Sequence, residues 1–340
     1  MPYNLDADCM RGGPSDRFGR HLKDLRISVT DRCNFRCRYC MPREVFGNDF
    51  PFLERGGIMS FEEIDRLAGI FIDLGVEKIR LTGGEPLLRK NLADLVSMLS
   101  MRDVEIAMTT NGVLLPRHAP ALSAAGLDRV TVSLDAIDES TFASITDSGH
   151  TVASVIAGIE AAESVGLGPI KINTVVKKNL NEDEILDLVE RFSNRNIAIR
   201  FIEYMDVGTT NGWSMGEVVT AEEIRAIIGI NEQIAPDKKS DVAKRYRLAK
   251  GGEVGIISSV TEPFCGDCTR ARLSADGRLF TCLFSSKGTD LLTMMRDGLT
   301  DVEIAEAIEM TWGNREDRYS ELRSEQVTAS NRIEMSFIGG

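Results

Sequence analysis

At 340 residues, with 43% hydrophobic and 27% charged side chains, the chain has an ordinary soluble globular composition, enough for one large domain and a smaller one. Its net charge of -12 argues against a duplex nucleic-acid surface as its main business, although a local collection of Arg and Lys could still hold a polyanion. No apolar run approaches the roughly 20 residues that a membrane helix needs, and the opening MPYNLDADCMRGG has no apolar signal region, so a cytoplasmic protein with no nucleic-acid or membrane partner is expected.

Residues 1–20 read as an irregular extension rich in Gly, Pro and Asp. The first strand is expected over Leu25–Thr30. After it comes Cys33-Asn-Phe-Arg-Cys37-Arg-Tyr-Cys40, three cysteines at spacing C-x3-C-x2-C. Three thiolates on so short a loop can converge on one metal centre. An iron–sulfur cube normally takes four cysteine ligands, so a cube bound here would keep one iron open. A zinc site lacking a ligand, a disulfide plus a spare thiol, or accidental clustering are the plainer alternatives.

Ser60-Phe-Glu-Glu63 has the S-x-x-E capping-box pattern and opens a helix running to about Leu74. Strands then alternate with helices. Lys78–Thr82 ends in Gly83-Gly84-Glu85-Pro86 and is followed by a helix over Leu92–Leu99. Glu105–Thr109 ends in Thr-Asn-Gly, and a helix before Gly126 leads to Arg129–Leu134. A helix over Val152–Val165 precedes Ile170–Val176. The acidic start at Asn181-Glu-Asp-Glu184 opens a helix leading to Ala198–Tyr204. Six strands alternating with helices predict a parallel α/β sheet, open or curled into a partial barrel, with its site at the carboxyl ends of the strands. Those ends carry the cysteines, Gly83–Pro86, Thr109–Gly112, Ser133–Asp135 and Met205, with Lys171 and Asn173 in the fifth strand.

The alternation stops near Asp206. A short helix is expected after Thr220, strands at Arg245–Leu248 and Val254–Ile257, and a hairpin over Arg272–Phe280 turning at Asp276-Gly277. Helices are expected at Thr289–Arg296 and Asp301–Thr311, with a Gly339-Gly340 end. Cys265, Cys268 and Cys282 form a second group, C-x2-C-x13-C, whose hairpin can return the third thiol to the pair. Zinc is the serious rival here, but no His lies near to supply a fourth ligand. Cys9 is left over and reads as an incidental thiol. Arg270 and Arg272 share one strand face beside this group. Arg26, Arg80 and Lys171 sit inside strands where apolar residues would be cheaper, so an anionic ligand is expected on these five cations.

The Cys33–Cys40 loop with Gly83-Gly84-Glu85-Pro86 resembles the radical S-adenosylmethionine superfamily. Thr109–Gly112, Val132–Asp138, Arg200–Gly208, Phe264–Leu273 and the Gly-Gly end narrow the resemblance to the family acting on GTP at the first step of molybdenum cofactor (molybdopterin) biosynthesis. That resemblance implies an incomplete (β/α)6 TIM-type barrel over 21–206, closed by a C-terminal domain over 207–340. It implies a [4Fe-4S] cluster on Cys33, Cys37 and Cys40, with S-adenosyl-L-methionine on its open iron and touching Tyr39, Gly84, Ser133 and Met205. A second [4Fe-4S] cluster is implied on Cys265, Cys268 and Cys282, its open iron meeting the guanine. Arg26, Arg80, Thr109, Lys171, Arg270, Ala271 and Arg272 match GTP-contacting positions, with Arg26, Arg270 and Arg272 in catalytic roles. The implied reaction uses a 5′-deoxyadenosyl radical to take the ribose 3′ hydrogen, after which the ribose carbon attacks guanine C8. The Gly339-Gly340 tail would reach into the pocket. A reducing electron donor and a downstream cyclic pyranopterin monophosphate synthase are implied partners, and a homodimer is compatible. Two rival readings are a radical enzyme modifying a peptide with an auxiliary cluster, which would need no clamp for a triphosphate, and a non-catalytic metal-binding scaffold.

Overall fold

The computed structural model describes residues 13–193, 195–236, 240–323 and 332–339; Cys9 and Gly340 lie outside them, as does most of the irregular extension. Six parallel strands form the frame: β1 (Asp24–Ser28), β2 (Lys78–Thr82), β3 (Glu105–Thr110), β4 (Arg129–Ser133), β5 (Ile170–Val176) and β6 (Ile197–Glu203). Between them run α1 (Phe61–Asp73), α2 (Leu92–Ser100), α3 (Leu115–Ala124), α4 (Glu139–Thr146), α5 (Val152–Ser164) and α6 (Glu184–Phe192). The capping box at Ser60 and Glu63 is formed, both reciprocal hydrogen bonds present, a device that stabilises a helix by about 1 kcal/mol. The acidic run opens α6 three residues later than Asn181, whose side chain instead accepts from Lys177 N and donates to Asp135 O and Val175 O, and Glu184 accepts from the backbone N–H groups of Ile137 and Asp138.

The sheet does not stop at six strands. Beyond β6 lie α7 (Ala221–Ile228), β7 (Gln233–Ile234), β8 (Lys244–Arg247) and β9 (Glu253–Ile257). Then follow β10 (Arg270–Leu273), β11 (Arg278–Phe280), β12 (Thr289–Asp290), α8 (Leu291–Arg296), α9 (Asp301–Gly313) and α10 (Met335–Ile338). β9 pairs parallel with β6, and β10 pairs parallel with β1, so the later strands extend the same sheet at both edges in the order β12-β11-β10-β1-β2-β3-β4-β5-β6-β9-β8-β7. The hairpin forms with Gly277 at positive φ in its turn, as the Asp-Gly pair foretells. One expectation needs correction: Thr289 and Asp290 are strand, and α8 starts only at Leu291, because the Asp290 side chain caps it by accepting from Thr293 N.

Strand side chains alternate between two environments. Leu25, Ile27, Ile79, Leu81, Ile106, Met108, Val130, Val132, Ile172, Ile199 and Phe201 face the helices and are fully buried; each such side chain contributes on the order of 1.5–3 kcal/mol. The other face, from Arg272 on β10 round to Arg200 on β6 and Ile257 on β9, lines one cavity, so the sheet curls on itself. Among the described residues no helix is long and apolar enough to cross a membrane.

Candidate functional site

The cavity has a volume of about 330 Å³, within the range of small-molecule sites. Both cysteine groups open onto it, from opposite ends of one strand pair. The first group follows the carboxyl end of β1; the second immediately precedes the amino end of β10, and β1 and β10 run parallel in register, Asp24 opposite Arg270 and Ile27 opposite Leu273. Cys282 rejoins Cys268 because β11 runs antiparallel to β10, Phe280 opposite Arg272. The five residues of β1 separate the two ends by about 13 Å at the usual strand rise.

The first loop is held by its own backbone and its neighbours. Arg36 donates to the carbonyls of Cys33 (2.8 Å), Phe35 (2.8 Å) and Phe46 (2.7 Å). The Arg36 and Arg38 backbone N–H groups donate to Thr146 and Ile145 O at the end of α4, a helix with no counterpart among the sequence expectations. Gly83 and Gly84 are required by close approach: a Cβ on Gly83 would strike Thr30 O, and one on Gly84 would strike Arg32 O. Glu85 then ties β2 to β3, accepting from Leu87 N (3.0 Å), Thr110 Oγ1 (2.8 Å) and Asn111 N (2.8 Å); burial lifts its pKa to about 7. Tyr39 donates to Asp135 (2.6 Å), whose pKa is raised by burial to about 6. Tyr39, Gly84, Ser133 and Met205 all line this end of the cavity.

Below this rim the wall turns cationic. Arg26 stands opposite Arg272 on one side and Arg80 on the other, three arginines across three adjacent strands. Like charges set directly opposite one another cost stability, and burial adds to the cost. Arg26 is held well below its ordinary pKa by burial and then by Arg272, Arg270 and Arg80. Its Nε has no hydrogen-bond partner among the described residues. Burial also lowers Arg272, to about 10. Arg80 is partly satisfied, donating to Thr109 Oγ1 (3.2 Å) and Thr131 Oγ1 (3.1 Å). Such an array is the kind of surface that a polyphosphate neutralises.

Gly339 also enters this wall. Its carbonyl accepts from Arg272 Nη1 at 3.0 Å, and its φ of +77° suits glycine. A Cβ there would strike Thr82 Oγ1, with Ser28 next in line, and α10 brings Met335 and Ser336 to the cavity. Thus Arg26, Arg80, Thr109, Arg270, Arg272 and the six cysteines come together. Two candidates do not line the cavity: Ala271 is fully buried with its side chain in the core on the other face, and Lys171 sits near the amino end of β5. Burial, then Arg200, lower the Lys171 pKa to about 7. Arg200 was missed although it lines the cavity; it sits among apolar residues in β6, the same signal that singled out Arg26 and Arg80.

The donor sets fit iron–sulfur clusters, whose thiolates sit on separate irons. Burial raises Cys33 to about 12 and Cys37 well above its ordinary value, and the latter is raised further by Cys33 and Cys40. Three thiols so raised ionise together only when a metal centre compensates them. In the second group burial likewise opposes ionisation of Cys268, but Arg270 and Arg315 overcome it and bring the thiol to about 6. Among the described residues no group of three His, Cys, Asp or Glu stands at the spacing of a single ion.

Two family models match the chain: Radical SAM superfamily over residues 27–192, and Molybdenum Cofactor Synthesis C over residues 197–321. The chain is 48% identical to the GTP 3′,8-cyclase of Acidothermus cellulolyticus and 45% identical to that of Staphylococcus epidermidis, each match covering 96% of this chain and 98% of the relative. Among solved structures it resembles Streptococcus suis SuiB, with TM-score 0.61 at 14% identity, covering 92% of this chain and 70% of that one. The same protein bound to S-adenosylmethionine gives TM-score 0.60, covering 90% and 69%. At that identity the likeness speaks for the fold.

Proposed function

The chain belongs to the GTP 3′,8-cyclase family of radical S-adenosylmethionine enzymes, and on that premise we propose how its two cysteine loops divide the work. The reaction is conversion of GTP to (8S)-3′,8-cyclo-7,8-dihydroguanosine 5′-triphosphate, the first step of molybdenum cofactor biosynthesis. Cys33, Cys37 and Cys40 hold a [4Fe-4S] cluster beside S-adenosyl-L-methionine, and Cys265, Cys268 and Cys282 hold a second. When bound, the first cluster and S-adenosyl-L-methionine supply one-electron chemistry that generates a 5′-deoxyadenosyl radical.

The chain's own residues set the geometry. Tyr39, Gly84, Ser133 and Met205 contact the sulfonium cofactor at the rim. Asp135 lines that end, and a bound cation would favour its ionised form against burial. Arg26, Arg80, Arg270 and Arg272, joined by Arg200, bind and orient the triphosphate, and Thr109 positions Arg80. Residues 21–206 therefore supply the radical-generating part together with Arg26, Arg80 and Arg200, and 207–340 supply Arg270, Arg272 and the second cysteine group. Hydrogen abstraction demands reacting atoms held about 3–3.5 Å apart, so a substrate fixed at both ends is needed. The tail through Gly339 covers Arg272 and excludes water beside it. A one-electron donor, a downstream cyclic pyranopterin monophosphate synthase and homodimerisation belong to the same proposal.

One observation carries this reading: a row of buried arginines enclosed between two three-cysteine loops on one parallel strand pair. A peptide substrate gives no reason for that row, and a metal scaffold gives no reason for the cavity. Iron, sulfide and zinc assay of anaerobically prepared protein is the test. About eight irons per chain supports two clusters; about four irons with zinc would leave the second group structural.

A further inference from the structure

The amino-terminal segment carried no usable motif, yet it supplies two of the most buried ionic side chains in the molecule. The side chains of Asp16 and Arg20 are 0% and 2% exposed. Asp16 accepts from the backbone N–H groups of Phe18 and Arg20 (both 2.9 Å), from Arg20 Nε at 2.6 Å and from Arg315 Nη1 at 3.4 Å. Both arginines then reach the second cysteine group. Arg20 Nη1 donates to Cys265 O at 2.6 Å and Asp317 O at 2.9 Å, and Arg315 Nη1 donates to Cys268 O at 2.7 Å. Asp317 completes the set by accepting from Thr281, the residue before Cys282, at 2.5 Å. The backbone or side chain at or beside each of the three cysteines is therefore held by one connected group. Trp312 fixes it from behind, donating to Arg20 O at 2.9 Å and stacking against Arg315 at 4.5 Å.

We propose that Asp16, Arg20 and Arg315 are positioning residues for the second cysteine group: they fix the spacing of Cys265, Cys268 and Cys282 so that the three thiols could hold a cluster. This rests on the reading that the second group holds a cluster. A buried ion pair is weak evidence of stability, since well-packed apolar residues often serve as well. Two further observations point to a local duty. The carbonyls it holds belong to Cys265 and Cys268 themselves. The buried donor Arg20 Nη2 has no hydrogen-bond partner among the described residues, while Arg315 Nε faces Asp317 Oδ2 at 3.6 Å in an ion pair; N–H donors beside a cluster tune its potential. The sequence extension thus reaches across the fold to a group some 245 residues away in the chain.

The test uses the anaerobically reconstituted full chain and its Asp16→Asn and Arg315→Lys variants, with iron and sulfide content and electron paramagnetic resonance of the reduced clusters read with and without S-adenosylmethionine and GTP. Wild type should hold about eight irons and show two signals, one responding to each ligand. Asp16→Asn should fall to about four irons while keeping the signal that responds to S-adenosylmethionine. Arg315→Lys should keep its iron but shift the GTP-responsive signal. An unshifted GTP-responsive signal in Arg315→Lys overturns the proposal, as does full second-cluster occupancy in Asp16→Asn. If Asp16→Asn loses both clusters, it has unfolded and Arg315→Lys decides. Wild type with about four irons and a zinc fails differently: it overturns the second-cluster reading itself, and the positioning role with it.

Discussion

The two cysteine loops have the same number of thiols and opposite surroundings. At Cys33–Cys40 the charged neighbours that shift the thiols are mainly acidic: Glu85 raises Cys33, and Asp135 raises Cys37 and Cys40, all on top of burial. At Cys265–Cys282 burial and then Asp317 raise Cys282, but the neighbours also include Arg270, Arg272 and Arg315, and Cys268 alone among the shifted thiols is brought down. One sheet therefore offers a carboxylate-flanked metal site at one end and a guanidinium-flanked one at the other. On the proposed function the difference sorts ligands by charge before any shape is considered, a sulfonium cation going to the first and a triphosphate to the second.

The largest expected effect separates the two loops outright. Cys37→Ala should abolish formation of 5′-deoxyadenosine, whereas Cys268→Ala should retain reductive cleavage of S-adenosylmethionine and lose conversion of GTP. Chromatography of 5′-deoxyadenosine and of nucleotide from the same reactions reads both. Loss of cleavage in Cys268→Ala would erase the division of labour.

Next come the arginines. Each charge-assisted hydrogen bond contributes about 1.5–3 kcal/mol, so Arg270→Ala and Arg272→Ala should each weaken GTP binding about 10- to 100-fold with both clusters assembled. Equilibrium dialysis against GTP measures it, with iron content as the control; unchanged affinity in the assembled double variant removes the clamp.

A smaller effect is expected from pH. Lys171 titrates near 7 because burial and neighbouring cations disfavour its charge. Its lowered folded value means that it destabilises the fold increasingly as pH falls from its unfolded value of 10.5 to about 7, and that an added anion should raise it again. Lys171 does not line the cavity, but a triphosphate on Arg200 and Arg80, two of the cations that lower its pKa, should relieve that repulsion, so GTP binding just above pH 7 should take up protons and weaken as pH rises. Calorimetry in buffers of differing ionisation enthalpy reports this; a heat independent of buffer would detach Lys171 from the substrate.

The smallest effect concerns the acidic end. Tyr39→Phe removes a hydrogen bond that holds Asp135 down against burial. The Asp135 pKa should rise from about 6 toward neutrality, and S-adenosylmethionine binding at neutral pH should weaken by about 1 kcal/mol, roughly fivefold. A binding pH profile identical to wild type would show that this carboxylate does not serve the cofactor.

Much of this contrast was legible in the sequence, because its signals are local. C-x3-C-x2-C, the Gly-Gly-Glu-Pro run and the capping box at Ser60 are each decided within a few residues. Arginines interrupting apolar strands were also visible, although Arg200 was passed over. What was not legible depends on register. Nothing in the sequence says that β10 lies parallel to β1, yet that pairing sets Arg26 beside Arg272 and puts the two cysteine groups at opposite ends. Likewise Asp16 and Arg20 have no local pattern; their meaning appears only when Arg315 and the second cysteine loop arrive from the far end of the chain. Helix α4 escaped notice because it is short and weakly patterned, with a polar first turn capped by Asp138.

The most direct test of the division of labour follows the hydrogen itself. GTP carrying deuterium at ribose C3′ is incubated anaerobically with the reduced enzyme and S-adenosylmethionine, and both products are weighed by mass spectrometry. The account predicts deuterium in 5′-deoxyadenosine and a cyclised nucleotide that has lost it, in equal amounts. Unlabelled 5′-deoxyadenosine beside unchanged GTP would mean that the radical made at the first loop never meets a nucleotide held by the second, and would contradict it.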